Sequence, residues 1–384
     1  MTAHVRRILF VNSGLRFGGA ETQLVAIIRE LKRRGHEPAL YLLTGDAPRL
    51  DELAGLGVQV LVDNKKSRLD LGVIKRLRAH IRQWKPDLVH GFLFDANVFA
   101  RMAVVGLKVP LLNAERSHGY RLKPAQAAIH RLTRHRVDGV VANTQAGRDF
   151  AESMYALPPA RAHVVWNGID LKAVDARCMA PRLDYRQEFF GDSAVKMATL
   201  VGTIQPQKDH LLALEAAEAL IDADPSWRIA FVGAAYGSKL NYANATADAS
   251  NQLQRAVEAR WKNSRHVDRI RFVGQRSDAL EIIAASDALF STSLQEGFPN
   301  VVLEAMSVGT PVISTAYSDI RLILEDPRWV IDSRDPQAIA DAIRKVAGDR
   351  AHVGPALRGW IEKHATIERS VDTLLEVYDK YTRP

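Results

Sequence analysis

Two glutamates, Glu296 and Glu304, lie within the stretch Leu289–Ser314 (LFSTSLQEGFPNVVLEAMSVGTPVIS) and are the residues best placed to do chemistry. Ala288–Ser291 reads as a short apolar strand and Leu294–Pro299 as a loop broken by Gly297 and Pro299. Asn300–Ser307 follows as a helix with Pro299 at its start, where a missing N–H costs nothing. Gly309 and Pro311 end it, and Pro311–Ser314 resumes as a strand. The first-turn amides around Asn300–Val302 carry the positive end of the helix dipole, which suits a phosphate. Helical side chains lean toward the N-terminus, so Glu304 can reach a group lying over that end, and a carboxylate accepts two hydroxyl hydrogen bonds, as a ribose diol offers. Glu296, upstream on the loop, would face whatever lies beyond the phosphates. That layout describes a nucleotide-sugar site. Spacing alone gives equal weight to a plainer reading, in which Glu304 is a solvated helix residue and Glu296 a loop carboxylate.

Residue types add to the spacing. EGFPNVVLEAM, with Glu296 and Glu304 as E-x7-E, resembles the signature of the retaining nucleotide-sugar glycosyltransferases that include bacterial mannosyl- and polysaccharide-assembling enzymes. The resemblance implies that Glu304 binds the donor ribose, that Glu296 contacts the transferring sugar, that loop amides within Gly297–Asn300 hold sugar hydroxyls, and that Gly297, Phe298, Pro299, Asn300 and Val301 line the donor site.

Composition is compatible with this and excludes several alternatives. The 384 residues suffice for two domains of ordinary size, and 47% hydrophobic with 25% charged residues is the balance of a globular protein. The single cysteine, Cys178, excludes an internal disulfide and suits a reducing cytoplasm. No apolar run is long enough for a transmembrane helix, and the N-terminus enters a strand directly, so neither a span nor a signal peptide is expected. The net charge of +8 is unevenly placed: residues 1–178 carry a net of +12 and residues 179–384 a net of −4. The excess clusters at Lys65–Lys85 and Arg116–Arg136, the first of which reads as a basic amphipathic helix over 69–84. A solvated helix packed on its sheet, an anionic membrane surface and a nucleic acid compete to explain it; no nucleic-acid motif supports the last.

Taken in order, Val5–Val11, a glycine loop at Asn12–Gly19, a helix over Ala20–Arg34 and the strand Glu37–Leu43 make a β–loop–α–β unit of the doubly wound kind. The loop lacks G-x-G-x-x-G, so it marks no dinucleotide site, and a tight strand–helix turn is an equal reading. Its Gly18, Gly19 and Glu21 resemble the family's GGAE, which implies a loop closing over the donor phosphates. Strands follow at Val58–Val62, Leu88–His90 and Leu111–Ala114, with helices at 69–84 and 95–107. His90 reads as a structural strand-end histidine. His118 follows a strand end, where open α/β sheets bind ligands, and stands where relatives carry a histidine near the donor sugar, so it joins Glu296 and Lys208 as a candidate catalytic residue. Asn167-Gly168-Ile169-Asp170 resembles the family's interdomain marker, and Leu171–Ser193, where periodicity fades, reads as a linker.

Val195–Val201 opens a second α/β domain, and Gly202–His210 (GTIQPQKDH) joins it to the helix Leu211–Ile221. The resemblance implies that Gly202 and Lys208 belong to the family's G-R-x-x-x-x-K, whose Arg and Lys neutralise the donor diphosphate. Thr203 stands at the Arg position. A hydroxyl cannot replace a guanidinium fork on phosphate, so either another cation (Lys239 or Arg276) fills in, or the leaving group is less stabilised, or the domain is catalytically impaired. Tyr236–Gln252 reads as an exposed polar loop, and Ala316-Tyr317-Ser318-Asp319-Ile320 stands where relatives have Gly-Gly and then Glu.

The expected architecture is α/β: two doubly wound, Rossmann-like domains facing across a cleft, as in B-type glycosyltransferases. The expected division is 1–178 for the acceptor domain, 179–367 for the donor domain, and a last helix at 368–384 packing back on the first. The expected activity is retaining, metal-independent transfer of a hexose or N-acetylhexosamine from a UDP- or GDP-sugar, with no cofactor. Relatives are thought to react on one face of the sugar, the leaving phosphate helping to deprotonate the acceptor. The acceptor would be a lipid-linked or cell-surface glycan, met in the cytoplasm or on the inner face of the membrane. A weakly active or non-catalytic sugar-nucleotide-binding paralogue, and a soluble enzyme with a small acceptor, are the alternatives.

Overall fold

The computed structural model describes residues 5–67, 70–116, 123–179, 183–233 and 246–382, with backbone alone at 246–251. The chain divides into two compact units, Met1–Asp170 with Ala365–Pro384, and Leu171–His364.

The first unit is built on strands β1 (Arg7–Asn12), β2 (Glu37–Leu42), β3 (Gln59–Val62), β4 (Leu88–Gly91), β5 (Leu111–Glu115), β6 (Gly139–Ala142) and β7 (Ala162–Val164). They pair in parallel in the order β3-β2-β1-β4-β5-β6-β7. Continuous apolar runs such as Ile8–Val11 are what a parallel sheet covered by helices on both faces requires, and these four residues are fully buried. The order reverses between β1 and β4, which creates the crevice at the carboxyl ends where such sheets take ligands.

The last helix, Ile367–Asp379, completes this core. Ile367, Val371, Leu374, Val377 and Tyr378 pack with Ile8, Phe10 and Leu24. The Tyr378 hydroxyl lies 2.7 Å from Nδ1 of the buried His90, and that of Tyr381, just past the helix, 2.9 Å from Nε2 of the half-buried His163. Burial holds His90 down to about 3, so its ring stays neutral and accepts or donates according to tautomer. His90 is thus a packed, hydrogen-bonded core residue. Gly168 makes room for the returning chain: a Cβ there would lie 2.6 Å from both Thr366 O and Ile367 Cα, beside the parallel bridge of Ile169 with Thr366.

The second unit carries β8 (Lys196–Val201), β9 (Trp227–Val232), β10 (Ile270–Gly274), β11 (Ala288–Ser291), β12 (Val312–Thr315) and β13 (Val330–Ile331), all parallel in the order β10-β9-β8-β11-β12-β13. Here the switch falls between β8 and β11. The helices His210–Ala223 and Pro336–Ala347 cover one face through Leu214, Ala217, Ile221, Ile339 and Ile343.

Four expectations are revised. The stretch 171–193 is not a bare linker: it holds the helices Leu171–Met179 and Tyr185–Phe190, each short and weakly periodic because a few anchors hold it (Val174, Tyr185, and Arg177 bonded to Glu281). Because those anchors lie in the second unit, the division falls after Asp170 and not after residue 178. The polar loop expected over 236–252 is helical from Thr246 to Lys262, its start obscured in sequence by small polar residues with weak helix preference. The helix expected over 95–107 spans Phe94–Ala103.

Overpacking at Gly168 should cost more than a change of one methyl suggests. Gly168→Ala is expected to lower stability by about 1–3 kcal/mol, because both neighbours of the new Cβ are backbone. Gly359 is helical, and a methyl added there would meet nothing within 4 Å. Gly359→Ala should instead gain about 0.5–1 kcal/mol. Urea unfolding of the two variants beside the parent measures both signs.

Candidate functional site

The loops that follow β8 and β11, the strands flanking the switch point of the second sheet, carry the sequence-predicted residues. After β8, Gly202 and the exposed Thr203 lead into a turn over Pro206–Lys208. After β11, Thr292–Pro299 leads into the helix Asn300–Ser307. Lys208 and Glu296, 88 positions apart in sequence, meet as an ion pair between Nζ and Oε1, with both side chains largely withdrawn from solvent. Ser293 Oγ donates to the same Oε1 at 2.7 Å. One carboxylate oxygen of Glu296 is thereby committed, while Oε2 has no partner among the described residues.

Gly202 is the floor beneath this pair. A Cβ there would lie 3.2 Å from Lys208 Cε, so a side chain would push the lysine off its line to Glu296. Gly233, at φ +148, is held by a parallel constraint: a Cβ would fall 2.1 Å from Gly202 O. Behind them His210 is buried and bonded to the Gly202 backbone; burial and the charge of Lys208 bring it down to about 4, so it sits neutral.

Glu304 occupies the second turn of the helix Asn300–Ser307, partly buried. Burial pushes its carboxyl up, opposed by the positive fields of Arg177 and Lys208. Neither cation is bonded to Glu304, since Lys208 pairs with Glu296 and Arg177 with Glu281, so its desolvation is only partly offset. At the helix start the expectation of free amides is narrowed: the Asn300 N–H bonds Phe298 O and the Val302 N–H bonds Pro299 O, each at 3.0 Å. The turn at Pro299 engages those two, and Val301 is the first-turn amide with no backbone acceptor among the described residues. Gly297, Phe298 and Pro299 are buried, so that loop is a packed wall.

Arg276 does not join the group as a free cation. Its guanidinium donates to Asp278 and Glu188, all three closest contacts at 2.8 Å, and those two carboxylates push it well above its ordinary value. A stand-in for the missing arginine would have to break both pairs. Lys239 and His118 lie outside the described residues.

In the first unit, Gly18 caps the helix Gly19–Arg33 at the carboxyl end of β1, and its carbonyl accepts from both the N–H and the Oγ1 of Thr22 at 2.9 Å. A Cβ at Gly18 would lie 2.5 Å from Glu21 Oε2, so glycine lets Glu21 fold back over the turn, where burial pushes its carboxyl up. Arg116, at the end of β5, bonds Asn167 Oδ1 at 2.8 Å and stacks 4.8 Å over Phe92; burial brings it down to about 10.

Ser293, Arg177 and Arg334 escaped the sequence reading. Ser293 had a local signal, a hydroxyl three residues before Glu296. Arg177 and Arg334 had none, because only folding brings them to the site. Among the described residues no group of three or more His, Cys, Asp or Glu is placed to hold a metal, and no helix is long and apolar enough to cross a membrane.

Among curated relatives, a D-inositol 3-phosphate glycosyltransferase of Geodermatophilus obscurus is 30% identical over 255 residues, which covers 63% of this chain and only 52% of that protein. A protein of the same name from Thermomonospora curvata is 26% identical over 400 residues, covering 94% of this chain and 90% of its own. Among solved structures, the Anabaena protein HepE in complex with UDP and glucose is similar at a TM-score of 0.77 and 19% identity, over 97% of this chain and 98% of that one. The lipopolysaccharide outer core galactosyltransferase WaaB follows at a TM-score of 0.63 and 17% identity, over 97% and 98%.

The raised carboxyl of Glu304 has a thermodynamic consequence. Below its ordinary value of 4.5 it is neutral folded or unfolded and costs nothing; as pH rises, the unfolded carboxyl ionises first and folding loses ground until the folded one ionises too. Glu304→Gln removes that cost. The ligand-free variant should therefore melt above the parent at pH 7–8, with the gain vanishing near pH 4, as differential scanning calorimetry across pH would show.

Residues 17–173 match the family described as Glycosyltransferase Family 4 and residues 196–349 the one described as Glycosyl transferases group 1, and the chain has the fold of the two-domain B-type glycosyltransferases.

Proposed function

We propose that this protein is a retaining, metal-independent glycosyltransferase that takes a hexose or N-acetylhexosamine from a UDP- or GDP-sugar. The observation that carries the reading is the meeting of Lys208 and Glu296 at the switch point, with Glu304 in the second turn of the helix that follows. In this reading the donor ribose hydroxyls bond Glu304, whose carboxylate replaces the water those hydroxyls leave. Lys208 and the amide of Val301 face the diphosphate and stabilise the charge that grows on it as the glycosidic bond breaks. Glu296, with Oε1 held by Lys208 and Ser293, presents Oε2 to the sugar hydroxyls and to the positive charge developing at C1. The leaving phosphate takes the acceptor proton on the same face of the ring, so no side chain is required as general base. His118, which follows β5 in sequence and lies outside the described residues, is the histidine this reading assigns to the transferring sugar.

The acceptor we favour is a lipid-linked or cell-surface glycan presented at an anionic membrane surface. The first 178 residues carry the whole of the positive excess, and the basic helix Leu71–Trp84 keeps Lys75, Arg82 and Lys85 in solvent. The same positive field suits a small phosphorylated acceptor, the reading favoured by the inositol phosphate named in the curated relatives. Vesicles of anionic and of neutral lipid separate the two: sedimentation with anionic vesicles at low salt supports the first, while a protein that stays in the supernatant supports the second.

Glu296→Gln should leave UDP binding within a factor of about three and reduce sugar transfer by at least about a hundredfold, since it removes a group whose effect is on the transition state. Calorimetry with UDP and turnover of UDP-glucose, GDP-mannose and UDP-N-acetylglucosamine measure both; unaltered transfer would remove Glu296 from the mechanism.

Thr203→Arg should restore a guanidinium beside the diphosphate. UDP is expected to bind about tenfold more tightly, the worth of one charge-assisted hydrogen bond, with a smaller change for uridine, which lacks the phosphates.

A further inference from the structure

The loops bearing Lys208 and Glu296 are not held together by their ion pair alone. Leu294 N–H donates to Gln207 O at 2.7 Å. Thr292 Oγ1, on a fully buried residue, lies 2.9 Å from Lys208 O and 3.0 Å from Asp209 O. Asp209 stands in the left-handed region at φ +45, a strained conformation for a residue with a Cβ, and its Oδ1 accepts from Leu212 N–H at 3.2 Å. A third segment reaches both loops. Arg334, on the loop between β13 and the helix Pro336–Ala347, donates from Nη2 to Asp209 Oδ2 at 2.6 Å and to Thr292 O at 2.9 Å.

We propose that Arg334 is a positioning residue for sugar transfer: it clamps the loop after β8 to the loop after β11 and so sets the placement of Lys208 against Glu296. An isolated surface ion pair would carry little weight. This one differs because its second acceptor is the carbonyl of a buried residue and its first is the side chain of a strained turn, so losing the guanidinium releases two backbones at once. It also bears on Thr203. With no arginine at that position, Lys208 is the one side-chain cation that the sequence motif supplies to the diphosphate, and its placement matters correspondingly more. The proposal rests on the donor-site reading above, since the clamp acts on the two residues that reading assigns.

The clamp and its catalytic effect are tested on the full chain with Arg334→Ala and Arg334→Lys. Hydrogen exchange without ligand reads the clamp itself: in Arg334→Ala the Leu294 amide is expected to exchange about tenfold faster while amides within β8 and β11 stay as in the parent, with the melting temperature little changed. An unchanged Leu294 amide overturns the clamp whatever the protein catalyses. Turnover with the nucleotide sugar that the parent uses reads the positioning effect: kcat is expected to fall about tenfold, KM for the donor to change less than threefold, and Arg334→Lys, which keeps a cation and donors, to recover part of the rate. If the parent transfers sugar and Arg334→Ala matches it in kcat and KM, positioning is overturned while the proposed function stands. If the parent neither binds UDP or GDP nor turns over their sugars, the proposed function falls and so does Arg334's role in transfer, and the exchange data still decide whether the loops are clamped.

Discussion

Everything at the candidate site depends on one electrostatic arrangement: an ammonium and a carboxylate set side by side at the carboxyl ends of two adjacent parallel strands. A parallel sheet whose strand order reverses opens a crevice at that point, because the connections of β8 and β11 leave toward opposite faces. The Lys208–Glu296 pair sits where the crevice begins. Burying two opposite charges is favourable only when geometry and further hydrogen bonds offset their lost water. Ser293 adds one bond to Glu296, and Gly202 removes the side chain that would displace the lysine stem. The pair therefore fixes one oxygen of Glu296 and leaves the other for a ligand.

Glu304 shows the opposite balance. Its carboxyl is partly withdrawn from water and has only the distant fields of Arg177 and Lys208 for compensation, so burial wins and its acidity weakens. In the proposed reading, a donor diol with two hydroxyl donors is the neutral partner that satisfies this carboxylate. On that reading, stability lost to the desolvated carboxylate would be recovered when donor binds.

The first unit solves a different problem. Its sheet is closed by a helix from the far end of the chain, docked through apolar side chains and two tyrosine–histidine contacts. Gly139 and Gly168 are the openings that admit it: at Gly139 a Cβ would fall 2.2 Å from the Tyr381 hydroxyl. The last helix is thus a structural part of the first unit, and the second unit is an insertion between β7 and that helix.

How much of this is legible in the sequence follows from which interactions are local. Apolar runs of four to six residues, glycines at strand ends and helical periodicity are properties of neighbours in the chain, so the two parallel sheets, the loop–helix at Glu296–Ser307 and the pairing of Glu296 with a downstream Glu304 could be read directly. The 171–193 stretch was misread because its order comes from a few tertiary anchors, and the start of the helix from Thr246 because small polar residues there have weak helix preference. Arg276 illustrates the limit for single residues: its position suggested an available cation, and only the fold shows its guanidinium engaged by Glu188 and Asp278. Arg334 illustrates the converse, for nothing near it in sequence announces a contact with Asp209, 125 positions away. The sequence by itself determined which residue types would line the crevice, because strand, turn and helix are written in short-range pattern. The tertiary structure alone decided which charges meet there and which are already neutralised, because Coulomb pairing depends on distances that chain order does not encode.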